Sequence, residues 1–166
     1  MSLKTKLRAG ISAVKIGSVD FGRDTFQVEF PADTVMASGT AAGLADLVFA
    51  DTRSIAASSN EELDLAGSLA MLGETLTFVK IKAIYIKAAA ANGGNIIVGG
   101  ASSNAFTGPF ADATDKIEIP AGGFVMLAAP VAGWAVTAGT GDLLKVENDD
   151  SGAAGSYNIA IVGTSA

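Results

Sequence analysis

Short apolar runs closed by glycine, proline, asparagine or aspartate recur through the second half of the chain: "NIIVGG", "DKIEIPAGG", "FVMLAAP", "GWAVTAGTGD", "LLKVEND" and "YNIAIVG". Their repeat of roughly ten residues suits strands joined by turns and leaves no room for crossover helices between them. The expected fold class is therefore all-β, an antiparallel sandwich or barrel. The 20 glycines against 4 prolines agree with many tight turns. Upstream, "LVF" and "RSIA" are short runs, and "EELDLAG" sets Leu63 and Leu65 against Glu62 and Asp64, the alternation of a half-buried strand. In "TLTFVKIKAIYIK" Leu76, Phe78, Ile84 and Ile86 share one parity with Lys80 and Lys82 between them. One flat strand cannot bury the first four and expose the lysines, so a bulge or bend is expected between Phe78 and Ile84. Lys80, Lys82 and Lys87 are read as outer-face lysines that guard the strand against aggregation. The one helical candidate is "SLAMLGE", where Leu69 and Leu72 stand three apart. The expected core is Ile55, Leu65, Phe78, Ile86, Ile97, Ile117, Val125, Leu127, Leu144, Val146, Ile159 and Ile161.

Residues 1–45 read differently and are assigned to an extended N-terminal arm and its connection, with the sandwich domain over 46–166. Glycines at 10, 17 and 22 interrupt any helical period, and "TFQVEF" places Phe26, Val28 and Phe30 on one face of a short strand. "PADTVMASGTAAGLA" reads as connection. Charge is divided unevenly. Residues 1–23 hold Lys4, Lys6, Arg8, Lys15 and Arg23 against Asp20, net +4, and the remaining 143 residues carry net −10. Leu7, Ile11, Val14, Ile16, Val19 and Phe21 are too frequent for a solvated tail. The five basic and six apolar residues together form the candidate partner-binding set, an arm that covers a surface of a partner or of a neighbouring copy. An acidic body repels nucleic acid, so none is expected as a partner.

Cysteine and histidine are both absent. That removes Ser-His-Asp and Cys-His nucleophiles, zinc held by Cys or His, and disulfides. Carboxylate, lysine and serine chemistry remain, without a recognisable constellation, so the chain is not expected to be an enzyme or to hold a cofactor or catalytic metal. "NGGNIIVGGASSNAFTG" has no helix signal or lysine after its glycines, which favours turn–strand–turn over a phosphate loop. Trp134 is expected in core or sheet-edge packing, with a carbohydrate platform built on Trp134, Tyr157 or Tyr85 as the alternative. "ENDDSG" and "TGDLL" are read as solvated loops rather than calcium sites. No apolar run approaches the roughly 20 residues that span a bilayer, and residues 1–23 lack the apolar centre of a secretory leader, so cytoplasmic synthesis without a membrane partner is expected.

The series "FADTRSIAASSNEELDLAG", "NIIVGGASSNAFTGPFADATDKIEIPAGG", "GWAVTAGTGDLLKVEND" and "YNIAIVGTSA" resembles a family of small structural proteins of tailed bacteriophages. The resemblance covers residues 47–166. It implies a jelly-roll-like β-sandwich used as a building block of the virion, with no active-site residues to carry over. Within that class the expectation is a capsid decoration, or cement, protein. It would bind the outside of the head, with the major capsid protein and copies of itself, in a homotrimer, as partners. A tail, baseplate or fibre component is the alternative.

Overall fold

A computed structural model describes residues 2–19 and 22–166, the side chains of residues 18, 19, 23 and 24 excepted. Among these residues there is no helix. Two long strands come first, β1 (Thr5–Val19) and β2 (Gly22–Met36). After them come β3 (Leu47–Ile55), β4 (Asn60–Asp64), β5 (Leu69–Met71), β6 (Glu74–Leu76), β7 (Lys80–Ala88) and β8 (Ile96–Gly99). The chain ends through β9 (Lys116–Ile119), β10 (Phe124–Ala128), β11 (Trp134–Ala135), β12 (Leu143–Asn148) and β13 (Gly155–Thr164).

One sheet has the order β10-β7-β13-β3, with β11 also on β7, and the other the order β4-β12-β8-β9. Each ladder is antiparallel. The chain changes sheet at β3 to β4, β4 to β7 by way of the β5–β6 hairpin, β7 to β8, β9 to β10, β11 to β12 and β12 to β13, and the pairs β3–β13, β4–β12, β7–β10 and β8–β9 nest. That winding is compatible with a jelly roll. Period-two alternation supplies the core. Phe49, Ile55, Ile84, Ile86, Ile159 and Ile161 face inward from the first sheet, and Leu63, Ile96, Val98, Ile119, Leu144 and Val146 from the second.

Eight of the twelve expected core residues are buried, while Ile97, Ile117, Val125 and Leu127 are half-buried. Ile97 has the wrong parity, because Ile96 and Val98 on either side of it point into the core. Val125, Leu127 and Ile117 lie on β10 and β9, the last strands of their sheets, where the opposite layer covers them incompletely. "SLAMLGE" is not helical. β5 and β6 form a small hairpin whose turn is Leu72-Gly73, with φ of 55° and 83°. Two successive left-handed residues are what a two-residue hairpin turn of matching twist requires.

The bulge expected between Phe78 and Ile84 is present. The β7–β13 register passes from Val162↔Ala83 to Gly163↔Ile81, leaving Lys82 as the extra residue. Its consequence for Lys82 corrects the outer-face reading: the side chain is 1 % exposed and its Nζ donates to the Val131 carbonyl at 2.7 Å. Burial, with help from Lys80, lowers the amine's pKa below its ordinary value.

A second correction concerns "PADTVM", which is strand and not connection. β2 runs through Pro31 to Met36 and pairs with β1 without interruption from Thr5↔Met36 to Val19↔Gly22. Proline is tolerated there because a two-stranded ribbon consists of edge strands, and half of the N–H groups on an edge face away from the partner.

Candidate interaction surface

At fifteen residues per strand and about 3.3 Å per residue, the β1–β2 hairpin is about 50 Å long. Its register sorts the side chains. Residues directly opposite in an antiparallel pair share a face, so Leu7, Ala9, Ile11, Ala13 and Lys15 lie with Thr34, Ala32, Phe30, Val28 and Phe26. The other face carries Lys6, Arg8, Gly10, Ser12, Val14 and Ile16 with Val35, Asp33, Pro31, Glu29, Gln27 and Thr25. One face is nearly all apolar, and the other is mixed.

The root of the apolar face packs on the chain's own body. Leu7 and Met36 are buried with Ala45, Ala83 and Val162, flanked by Leu3, Val48 and Met126, on the outer side of the β10-β7-β13-β3 sheet. Further out the cover ends: Ile11 is 69 % exposed, Phe26 67 % and Phe30 71 %. Between that open stretch and the sheet lies a groove of about 600 Å³, walled by Ala9, Ile11, Phe30 and Ala32 with Arg8 and Gly10 on one side and by Tyr85, Phe124 and Met126 on the other. Phe124, 66 % exposed, stands against Tyr85 with ring centroids 6.0 Å apart.

The partner-binding set expected from the sequence is therefore divided. Ile11 and Lys15 lie exposed on the apolar face; Val14 and Ile16 lie exposed on the other. Leu7 is withdrawn into the root. Lys6 and Arg8 both reach Asp33, at 3.7 and 3.3 Å, so part of the arm's positive charge is answered by its own second strand. Counted to Met36, the arm holds five basic and four acidic residues, net +1. Lys4 is exposed ahead of β1. Phe21 lies outside the described residues, as do the side chains of Val19 and Arg23. Phe26, Val28 and Phe30 were legible as a strand face in "TFQVEF" but not as part of the arm's contact surface, because that needs the pairing with β1.

One polar cluster ties the two sheets together. The Tyr157 hydroxyl of β13 donates to Glu61 Oε1 of β4 at 2.9 Å, and Arg53 of β3 donates to Oε2 through Nε at 2.8 Å and Nη2 at 2.5 Å. Burial first, and the Glu61 charge second, raise the tyrosine's pKa; the hydrogen bond to Glu61 raises that of Arg53. A tyrosine held protonated beside a guanidinium held charged offers no proton to move at neutral pH. This cluster is a clamp.

The glycine-rich stretch is also structural. The Asn95 N–H donates to Asp149 Oδ1 at 2.5 Å, and a Cβ on Gly93 or Gly94 would collide with the Asp150 or Asp149 carboxylate. The chain's own carboxylates occupy the place a bound anion would take. Trp134 is half-buried, paired through β11 to Ile81 and packed on the core, and Tyr157 is 1 % exposed. Tyr85, the third aromatic of the carbohydrate-platform alternative, is half-buried beside Phe124. Among the described residues no group of three or more acidic side chains is arranged to hold a metal ion, and no helix is long and apolar enough to cross a membrane.

Compared with known proteins, the chain matches no family model, no curated protein and no solved structure.

Proposed function

We propose that the protein is a structural subunit of a bacteriophage virion, a capsid decoration protein that attaches to the outside of the head and joins the lattice through its β1–β2 hairpin. The observation that carries this reading is exposed apolar surface on both faces of the hairpin, with Ile11, Phe26 and Phe30 each about two-thirds exposed on one and Val14 and Ile16 each 55 % exposed on the other. Exposed apolar surface of that extent on a projecting element marks a contact with another macromolecule. The likeness of residues 47–166 to small phage structural proteins supplies the particle. The polar groups of the body agree with a building block: Arg53, Glu61 and Tyr157 satisfy one another across the two sheets.

The test is the stoichiometry of the chain against the major capsid protein in purified particles, measured by quantitative mass spectrometry. Decoration requires a copy number on the scale of the capsid subunits themselves, while a handful of copies per particle would transfer the protein to the tail, baseplate or fibre. A companion measurement adds purified protein to heads that lack it. Val14→Ser with Ile16→Ser, on the hairpin's other face, should abolish rebinding while leaving the sandwich folded.

A further inference from the structure

The groove between the hairpin and the β10-β7-β13-β3 sheet has two largely apolar walls, with Arg8 as its one charged lining residue, and no occupant from the described residues of its own chain. We propose that it is filled by the hairpin of a second copy of this chain, each hairpin entering its neighbour's groove to close a dimer or a cyclic trimer. The proposal rests on reading the hairpin as a docking element, and it names the partner of its apolar face.

Three observations select another copy. The first is continuity. The apolar face that packs on the outer sheet through Leu7 and Met36 runs on, in unbroken register, to Ile11 and Phe30. The sheet face likewise runs on from Ala83, Val162 and Met126 to Tyr85 and Phe124. Surfaces that mate at the root extend, unmated, beyond it, and each chain carries both. The second is area. A phenylalanine offers roughly 150–250 Å², so Phe26, Phe30 and Phe124 at about two-thirds exposure leave roughly 100 Å² or more open apiece. With Ile11 and the flanking alanines and valine, this approaches the roughly 800 Å² per partner of a specific interface. The third is the ribbon itself. A two-stranded sheet is marginal in water without a layer against it, and this one is covered only at its root. Apart from Lys15 near the far end, the described side chains of the apolar face are uncharged; at the groove, Arg8 is paired with Asp33 and Lys87, opposite Phe124, is exposed, so copies can meet with these charges paired or left at the rim. Val14 and Ile16, on the opposite face, remain available to the particle.

The absence of cysteine gives a direct test. Ala13→Cys and Phe124→Cys are made as separate proteins, mixed under mild oxidation with no particles present, and compared with Ala13→Cys mixed with Ala113→Cys, an exposed control in the β8–β9 loop. The expected result is a mixed disulfide between the first pair forming at least about tenfold faster than in the control pair, because association replaces bulk by millimolar effective concentration. The unmodified protein should have the mass of a dimer or trimer by light scattering at about 100 µM, within reach of interfaces of this size, and Ile11→Ser with Phe30→Ser should have the mass of a monomer. A monomeric unmodified protein, or a mixed disulfide no faster than the control, overturns the proposal. So does a disulfide that forms only within one chain carrying both substitutions, since that would mean the hairpin closes on its own sheet. A monomer that still coats heads would leave the decoration reading standing and remove this one; an oligomer that never binds heads would do the reverse.

Discussion

In the sandwich, Ile84 and Ile86 of β7 and Ile159 and Ile161 of β13 alternate with outward residues and are buried against a second sheet. In the hairpin, Ile11 of β1 and Phe26 and Phe30 of β2 alternate by the same rule and stay open. Periodicity of two identifies an apolar face; whether that face becomes core or interface depends on whether the same chain supplies a layer to cover it. The contrast predicts that equal truncations in the two regions have unequal effects. The largest belongs to Phe78, which is 1 % exposed within the sandwich core. Phe78→Ala should destabilise the chain by about 3–5 kcal/mol, read by urea unfolding, through lost transfer energy and the cavity left behind.

Much of this contrast is visible in the sequence, and the missing part has a physical cause. Turn residues at regular intervals mark the strands of the body, and the conflict between four apolar residues and two lysines marks the bulge at Lys82. Which side of the sheet Lys82 takes is not written locally, because its burial depends on the Val131 carbonyl, 49 positions away. Ile97 shows the same limit: in "NIIV" two adjacent isoleucines fit either parity, and only pairing with β9 and β12 decides that Ile96 and Val98 face inward. In the arm, glycines and a proline that look like breaks in a lone segment become ordinary edge-strand residues once Gly10 stands opposite Pro31. The groove was out of reach from the sequence for the same reason, since its walls come from residues more than fifty positions apart.

A smaller effect is expected from the clamp between the sheets. Glu61→Ala leaves the buried Tyr157 hydroxyl without its acceptor, a loss of about 1–3 kcal/mol. Arg53, whose side chain is 31 % exposed, can turn to water and adds little. Tyr157→Phe should recover part of that loss in the Glu61→Ala background, because it removes the orphaned hydroxyl. A double-mutant cycle by thermal or urea unfolding measures the coupling.

Lys82→Met keeps the volume and removes the buried amine, so at neutral pH stability should rise, by less than about 1.5 kcal/mol. The pH dependence carries the sign. The folded amine has a pKa below 10.5 and the unfolded one near that value, so in the window between them the unfolded state binds more protons and stability increases with pH. Unmodified protein should therefore gain on Lys82→Met as pH climbs toward 10.5, and stop gaining above it. Parallel curves for the two proteins across that window would mean that the amine at the bulge stays hydrated.

The smallest effect on the isolated fold should come from the hairpin, and it sharpens the comparison most. Phe26→Ser with Phe30→Ser changes side chains that are about two-thirds exposed, so at concentrations where the chain is monomeric the sandwich should lose less than about 0.5 kcal/mol. Each phenylalanine would contribute about 1.5–3 kcal/mol only when another surface covers it. The two situations separate by dilution. If the apolar face is covered by a neighbouring copy, the melting temperature of the unmodified protein rises with concentration, while that of the double variant does not. The two curves then converge at low concentration and part at high concentration. Curves that stay apart by a constant amount at every dilution would instead place Phe26 and Phe30 in contact with their own chain, and the hairpin would belong to the core it now stands beside.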